Sequence, residues 1–280
     1  MDASIVVLTW EDSERTTACV HSLPADAEIV VVDNGSAEEV GAALRDLCSA
    51  SGANYVRAES NLGYSKGMNL GIRHTSRSTV VLANNDVVVN PGAVEALVKT
   101  LERPEVGAAF PAIRNHDGSE GTDAGRFLTL GVGLGHLTGL EYLLPGLRIS
   151  TTPERADWLS GPFVAMRRET LDRIGGVDET AFFYSEDLRL CWAVRRLGLQ
   201  LAYVPESVIT HENSTSSKRR WSDDEIALRQ TREFIRASKD QGRGLACRAY
   251  AYGAALRALV GPSTTRKAIA RGALEGLRRS

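Results

Sequence analysis

Two amides and a carboxylate, placed where an apolar run stops, are the first residues of this chain that could do chemistry. Residues 80–83 read as a buried strand, and Asn84, Asn85 and Asp86 follow them directly. Open α/β sheets bind their ligands beyond such strand ends, and a carboxylate there can hold a divalent ion against the phosphates of a ligand. Because Asn-Asn-Asp is also ordinary turn composition, the metal interpretation depends on the other elements at the same edge.

An acidic pair and a late histidine could complete such a site. Glu186 and Asp187 open a helical pattern with Ser185 in the N-cap position, and a helix N-terminus favours the ionised form of a carboxylate. His211 follows a short apolar run. Acid pairs often only start helices, and an isolated histidine is more often structural than a ligand. Neither stretch therefore identifies a function alone.

The first half of the chain alternates strand-like runs with amphipathic helical stretches. The runs are residues 4–9, 28–32, 54–57, 80–83 and 107–113. This alternation predicts right-handed βαβ units and a mostly parallel α/β sheet flanked by helices. Thr9, Asp33 and Asn34 stand just past strand ends, as Asp86 does, and such convergence is typical of a nucleotide-binding site.

The second half is less regular. Residues 115–157 contain eight glycines and show weak periodicity, so we expect a loop or lid there. Strands are expected at residues 158–167, 201–204 and 208–210, and the pattern is helical from Ser222 onward, with a break at residues 242–244. The expected domains are a catalytic domain, 1–217, made of a nucleotide-binding half (1–113), a loop or lid (114–157) and an acceptor half (158–217), and a helical C-terminal extension, 218–280.

Composition and charge restrict the classes of molecule that the chain is expected to bind. The chain is 43% apolar with a net charge of −2, which is typical of a soluble globular protein and gives no global attraction to nucleic acid. The charge is uneven, because residues 218–280 carry fifteen basic and six acidic residues. The four cysteines are far apart in sequence, which indicates buried free thiols and a cytoplasmic protein. We recognise neither a secretory signal nor a run long enough to span a membrane.

The motifs taken together resemble the inverting family-2 glycosyltransferases with the GT-A fold, most closely their rhamnosyltransferase-like branch. The matching stretches, in the family's order, are TWE, VVDNGS, NLGYSKGMNLGI, LANNDVVV, WLSGPFVAMRR, GGVDETAFFYSED and the late His211. Three departures stand out. Amides precede Asp86 where acids are usual, Arg189 replaces the last acid of an E-D-x-D-L pattern, and Trp10-Glu11 replaces an aromatic-Asn pair.

The resemblance implies transfer of a sugar from a nucleoside diphosphate sugar, with dTDP-rhamnose as the first guess, to an acceptor hydroxyl. It also implies a divalent cofactor, Mg²⁺ or Mn²⁺. Asp187, the last acid of the pair with Glu186, would be the general base. Asp86 would be a metal ligand, and His211 would be a second metal or diphosphate contact. The residues expected to contact the nucleotide are Thr9, Asp33, Asn34, Gly63, Lys66, Asn69, Asn84 and Asn85. Trp158 and Gly161 would line the sugar and acceptor site.

Several alternatives stay open at this stage. A non-catalytic homologue that only binds sugar nucleotides is the main one, and a nucleotidylyltransferase is less favoured because residues 9–17 contain no glycine. The acceptor could be a lipid-linked glycan, a polysaccharide or a small natural product, in cell-wall, polysaccharide or natural-product biosynthesis. The basic C-terminal helices could contact the inner face of a membrane, pack on the catalytic domain or form a homodimer; nucleic-acid binding is not expected. If they contact a membrane, the expected apolar face consists of Ala249, Ala251, Ala255, Leu256, Leu259 and Val260.

Overall fold

The computed structural model describes residues 1–180, 184–211, 221–261 and 263–278. The chain forms two compact units. The first, here called the sheet unit, comprises residues 1–122, 159–186 and 190–213, and the second, the helical unit, comprises residues 123–158, 187–189 and 214–280. The domain boundary expected between residues 217 and 218 lies outside the described residues, as do two aromatic residues of the quoted motifs, Phe182 and Phe183.

An eight-stranded sheet forms the centre of the sheet unit, in the order β3-β2-β1-β4-β9-β6-β10-β5. Its strands are β1 (Ala3–Thr9), β2 (Glu28–Asp33), β3 (Asn54–Arg57), β4 (Thr79–Asn84), β5 (Val87–Val89), β6 (Val106–Arg114), β9 (Phe163–Arg167) and β10 (Gln200–His211). The central strands are buried along nearly their whole length, as expected for strands covered by helices on both faces.

The mostly parallel α/β fold is confirmed, with two antiparallel strands added. Four of the strand pairs are parallel: β1 with β2, β1 with β4, β2 with β3, and β6 with β10. Strand β9 lies antiparallel between β4 and β6, and β5 is antiparallel to β10. A buried apolar run reads the same in either direction, so its composition does not reveal strand orientation.

The helices of the sheet unit follow the sequence-based expectation. They are α1 (Ser13–Ser22), α2 (Glu38–Ser51), α3 (Tyr64–Ile72), α4 (Ala93–Leu101), α6 (Arg168–Ile174) and α7 (Glu186–Arg196), whose second to fourth residues are assigned to the helical unit. The strand expected at residues 158–167 is interrupted. It forms the two-residue β8 (Trp158–Leu159), which pairs with β7 (Ala124–Gly125), and then β9.

The helical unit corrects the expectation of a loop or lid over residues 115–157. Helix α5 (Leu130–Thr138) forms within this stretch, followed by three short 3₁₀ turns, Leu140–Tyr142, Pro145–Leu147 and Pro153–Arg155. The buried face of α5 includes glycine, so large apolar residues do not mark its period. A Cβ on Gly133 would lie 2.5 Å from the carbonyl oxygen of Ala246, so glycine lets α5 approach the neighbouring helix closely.

The described residues from Trp221 onward form three helices: α8 (Asp223–Asp240), α9 (Gly244–Val260) and α10 (Thr264–Leu277). The expected break near residue 242 is confirmed. A second correction concerns β10, which was expected as two strands, 201–204 and 208–210, and is one strand with an irregularity between Val204 and Val208. All four cysteines are buried and unbridged. Within the described ranges, no helix is long and apolar enough to cross a membrane.

Candidate active site

Asp86 and His211 meet at one end of the sheet. Asp86 lies in the turn between β4 and β5, and the antiparallel register pairs His211 of β10 with Val87 of β5. The Oδ1 atom of Asp86 lies 3.2 Å from the Nε2 atom of His211, and both side chains are nearly buried. The pair joins residues 125 positions apart in sequence, and the strand register alone accounts for this proximity.

The environment of this pair fits a divalent cation. Asp86 Oδ1 is buried, and no described hydrogen-bond donor is aligned on it despite the nearby imidazole. A buried carboxylate oxygen without a partner is costly, and a cation would satisfy it. Two adjacent ligand atoms of an octahedral ion, each about 2.1 Å from the metal, lie about 3.0 Å apart, close to the observed separation. Three-ligand clusters of His, Cys, Asp or Glu do not occur among the described residues, so the protein would leave positions for ligand oxygens.

Cys19 lies close to this pair but is not suited to bind a metal. Its thiol donates to the carbonyl oxygen of Asn84 at 3.7 Å. Burial, together with the negative charge of Asp86, raises the pKa of Cys19 to about 12. Because only the thiolate is a good metal ligand, Cys19 remains a neutral packing residue beneath the site.

Thr9 and Asn85 form a polar network that shapes the turn before Asp86. The amide of Asn85 donates to the hydroxyl oxygens of Thr9 and Thr16, both at 3.2 Å, and Thr16 donates to Thr9 at 2.8 Å. Thr9 is buried, at 1% exposure. These bonds tie the end of β1 to the turn after β4. The predicted nucleotide contacts of both residues stay predictions, but their side chains already have a positioning role.

Asp33 is the centre of a second network. Its Oδ2 accepts from Tyr55 and Arg57, each at 2.7 Å, and its Oδ1 accepts from the backbone N–H of Ser36 at 2.8 Å. Burial opposes ionisation of Asp33, but the hydrogen bonds from Tyr55 and Ser36 outweigh it and, with the charge of Arg57, lower the pKa of this carboxyl. Asp33 is therefore ionised, and both of its carboxylate oxygens accept hydrogen bonds from the protein. Its predicted contact with the nucleotide is untested.

Asn34 holds the loop that leads into α3. Its Oδ1 accepts from the N–H of Leu62 at 3.0 Å, and its Nδ2 donates to the carbonyl oxygen of Gly63 at 3.2 Å. Gly63 is the N-cap of α3 with φ +81°, a conformation that favours glycine. Lys66 lies exposed in the first turn of that helix. The loop thus leads to an exposed cation at a helix N-terminus, and both features suit an anionic ligand.

Asn69 makes three hydrogen bonds to the segment that follows α6. Its Nδ2 donates to the carbonyl oxygen of Val177 and to Oε1 of Glu179, both at 2.8 Å, and its Oδ1 accepts from the N–H of Val177 at 2.9 Å. These bonds join α3 to the loop after α6. The side chain is accounted for without a nucleotide, so its predicted role in donor binding stays a prediction.

Asn84 and Gly161 lie at the same sheet edge. The N–H of Asn84 donates to the carbonyl oxygen of Pro162 at 2.8 Å, which brings the Ser-Gly-Pro break between β8 and β9 beside the end of β4. Trp158 belongs to the helical unit. Its indole donates to the carbonyl oxygen of Arg126 at 3.3 Å. The predicted roles of Trp158 and Gly161 in sugar or acceptor binding, and of Asn84 in nucleotide binding, are untested.

Glu186 and Asp187 begin helix α7, as the sequence predicts. Ser185 is the N-cap residue, but its side chain makes no capping hydrogen bond, contrary to the usual role of serine there. Tyr184 and Ser185 both adopt left-handed backbone conformations, with φ +73° and +67°. Consecutive non-glycine residues in this region are strained, and such strain is typical of functional segments.

Two further residues of the site region escaped the sequence analysis. Arg57, which is bonded to Asp33, also donates to the carbonyl oxygen of Ser36 at 2.7 Å. Asn61 accepts from the N–H of Gly63 at 3.0 Å. The only sequence signal for either was its position, since Arg57 ends β3 and Asn61 begins the glycine-rich loop. Both stabilise the loops at the strand ends.

The profile described as "Glycosyl transferase family 2" matches residues 4–175, which is more than half of the chain. The chain belongs to glycosyl transferase family 2. A hexosyltransferase of low-salt glycan biosynthesis, Agl10 of Haloferax volcanii, is 26% identical to this family 2 glycosyltransferase over 238 residues, 84% of the chain and 75% of the relative. An N-acetylglucosaminyl-diphospho-decaprenol L-rhamnosyltransferase of Mycobacterium tuberculosis is 27% identical over 241 residues, 77% of each protein.

The fold of this family 2 glycosyltransferase is GT-A. The mannosyltransferase PcManGT of Pyrobaculum calidifontis, solved in complex with GDP-Man and Mn²⁺, superimposes with a TM-score of 0.68. The match covers 99% of this chain and 87% of the mannosyltransferase at 17% sequence identity. The likeness extends over the C-terminal helices, which carried no recognisable family motif.

Proposed function

We propose that this glycosyltransferase transfers a hexose, with inversion, from a nucleoside diphosphate sugar to an acceptor hydroxyl. The observation that carries the proposal is the buried Asp86 carboxylate facing His211 at 3.2 Å without an aligned donor. This arrangement suits a cation-bridged diphosphate at the edge of the sheet, beside the loop that leads to the exposed Lys66. Asp86 and His211 would hold Mn²⁺ or Mg²⁺, which when bound stabilises charge on the leaving diphosphate as a Lewis acid.

Asp187 is the proposed general base. The acceptor oxygen attacks the anomeric carbon as its proton passes to the Asp187 carboxylate, while the bond between the anomeric carbon and the diphosphate oxygen breaks. The electron pair of that bond leaves with the diphosphate. A single displacement inverts the anomeric configuration, and the position of Asp187 in the first turn of α7 favours its ionised form. Glu186 would belong to the same acidic pair.

The donor we favour is dTDP-rhamnose, and the acceptor we favour is a lipid-linked diphosphate glycan. Support comes from the Mycobacterium tuberculosis relative, whose name specifies rhamnosyl transfer to a diphospho-decaprenol glycan. The Haloferax relative is named only as a hexosyltransferase. Its name supports a hexose donor and does not specify the sugar. A panel of nucleotide sugars, each assayed with Mn²⁺ and with a chelator, identifies the donor and tests the need for a metal.

The test of the mechanism is the substitution Asp187→Asn. General-base catalysis is worth about 10²–10⁴-fold, so we expect turnover to fall by at least about two decades while donor affinity is unchanged. Asp223→Asn is the matched control, because Asp223 also lies in the first turn of a helix. Near-normal turnover in Asp187→Asn would remove Asp187 from the mechanism.

A further inference from the structure

Exposed large apolar side chains are concentrated in the helical unit. Fourteen such residues are exposed in the part of the chain that the structure describes, and twelve of them belong to this unit. They are Leu130, Leu134, Leu140, Tyr142, Leu143, Leu144, Leu245, Tyr252, Leu256, Leu259, Val260 and Leu274. Soluble proteins rarely expose contiguous apolar surface without using it to bind a partner or a membrane.

Helix α9 has its large residues on the outside and its small residues on the inside. Leu245, Tyr252, Leu256, Leu259 and Val260 are separated by seven, four, three and one positions, which places them within about 100° of one helix face. The terminal two are 79% and 89% exposed. The buried residues of the helix are alanine, cysteine and glycine. An ordinary surface helix has the reverse pattern, so this apolar face requires another explanation.

A partly buried ion pair holds a second apolar segment beside the end of α9. Arg257 donates to Glu141 Oε1 at 3.0 Å, and its guanidinium carbon lies 5.5 Å from the ring centroid of Tyr142. The turn containing these two residues continues into the exposed Leu143 and Leu144. We call the surface formed by residues 140–144 and the apolar face of α9 the docking surface.

The exposed charge around the docking surface is positive. Residues 241–274 contain no aspartate or glutamate and six basic residues. Arg248 lies on α9 beside the apolar face, and Arg266 and Lys267 follow in α10; all three are exposed. The acid of the turn, Glu141, is 9% exposed and paired with Arg257, so its charge does not offset theirs.

We propose that the docking surface binds an anionic lipid bilayer. Leucine, valine and tyrosine can enter the boundary between head groups and acyl chains, while the surrounding arginine and lysine side chains contact anionic phosphates. A second copy of the chain would bring two basic surfaces together, which is unfavourable. Nucleic acid would require more aromatic side chains for base stacking than the two exposed tyrosines. The proposal goes beyond glycosyl transfer, because the binding needs neither donor nor metal.

The structure corrects the expectation for which residues form the exposed apolar face of α9. Ala249 and Ala251 were expected on a lipid-facing side of α9 but are buried within the helical unit. The lipid-facing residues on α9 are instead Leu245, Tyr252 and those toward the C-terminal end of the helix.

Vesicle flotation of the full chain tests the proposal. Wild-type protein should float with vesicles of phosphatidylcholine and phosphatidylglycerol, and binding should weaken with neutral phosphatidylcholine alone and with added salt. Leu259→Ser with Val260→Ser should lower the partition coefficient at least about tenfold. The double variant Leu143→Ser with Leu144→Ser independently tests the other apolar segment, residues 140–144. The matched control is Val88→Ser, which removes an exposed apolar residue from the sheet unit.

Variants that remove basic side chains separate the electrostatic contribution to vesicle binding from the apolar one. Arg266→Gln with Lys267→Gln should lower the partition coefficient about thirtyfold, since each basic residue near an anionic surface is worth about 1 kcal/mol. Arg73→Gln with Lys99→Gln makes the same charge change on the sheet unit and should have little effect. These four positions are exposed, so the variants should fold.

Two results would overturn the proposal. One is failure of the wild-type protein to float with anionic vesicles. The other is a concentration-dependent dimer in light scattering that disappears in Leu259→Ser with Val260→Ser, because the docking surface would then bind a second copy. Since neither measurement involves sugar transfer, failure here is distinguishable from failure of the proposed glycosyl transfer.

Discussion

Arg189 Nη2 lies 2.7 Å from Asp240 Oδ2 and donates a hydrogen bond to it. Arg189 stands two residues after Asp187 in the first turn of α7, and Asp240 is the last residue of α8. Only 10% of the Arg189 side chain is exposed. The residue that departs from the usual acidic family pattern therefore bonds the first turn of α7, which carries Asp187, to the last residue of α8. We propose that Arg189 positions Asp187.

Breaking this ion pair should affect turnover more than donor binding. Asp240 is more than half exposed, so solvent screens the pair and its worth is about 0.2–1 kcal/mol. We expect Asp240→Asn to lower kcat by up to about fivefold without changing KM for the donor. Asp46→Asn, an exposed acid on α2, is the control. Equal loss of kcat in both variants, or a change only in KM, would exclude positioning through Arg189.

Asn69 offers a test between a structural role and a nucleotide-binding role. Asn69→Ala removes three hydrogen bonds and leaves the N–H of the buried Val177 without its partner. The free energy of unfolding should fall by about 2–4 kcal/mol, measured by urea denaturation. Asn54→Ala, at an exposed position of β3, should be nearly neutral. Unchanged stability with weakened donor binding would instead support the nucleotide contact expected from the sequence.

His136 should make stability depend on pH. Burial and the charge of Arg257 lower the pKa of His136 despite the opposing effect of Glu141, and its ring is stacked on Tyr250 at 4.1 Å. The unfolded chain therefore binds a proton near pH 6.5, while the folded protein still holds the ring neutral. The contribution of neutral His136 to the free energy of unfolding is fully present above about pH 6.5. It is lost as the pH falls from there toward the lowered pKa of His136 in the folded protein.

Urea denaturation at pH 7.5 and pH 5.5 measures this effect. His136→Asn should remove part of the pH dependence, because the amide can donate to Glu141 in place of Nδ1–H but does not titrate. His74→Asn alters an exposed histidine and should behave as the wild type. Identical pH dependence in both variants would show that His136 is not held neutral.

Local sequence patterns predicted the strands and the polar residues at their ends. Asp86, Asp33 and Asn34 follow buried runs, and that position is visible in the sequence. The partners of such residues are not. Asn69 bonds to a residue 108 positions away, and Arg189 bonds to one 51 positions away, so only the folded topology brings each pair together.

Other features were hidden because the physical signal was weak. Helix α5 buries glycines against α9, and glycine gives no hydrophobic period to recognise. The direction of β9 was ambiguous because a buried strand is apolar in either orientation. The apolar face of α9 was also misassigned, since alanine and leucine both count as apolar and only packing reveals which of them is buried.

We propose that Asp86 and His211 together hold a divalent cation at the end of the sheet. Substitution at this pair should separate metal binding from folding. Asp86→Asn replaces a buried carboxylate oxygen that has no aligned donor with an amide, so the metal-free protein should remain folded with little loss of stability. His74→Ala, at an exposed histidine of the sheet unit, is the control for removal of an imidazole.

The most direct measurement is a titration of Mn²⁺ followed by electron paramagnetic resonance of the free ion, in the presence of dTDP. We expect the wild type and His74→Ala to bind one ion with equal affinity, and Asp86→Asn and His211→Ala to lose at least about tenfold in affinity. Wild-type affinity for Mn²⁺ in both Asp86→Asn and His211→Ala would contradict the account.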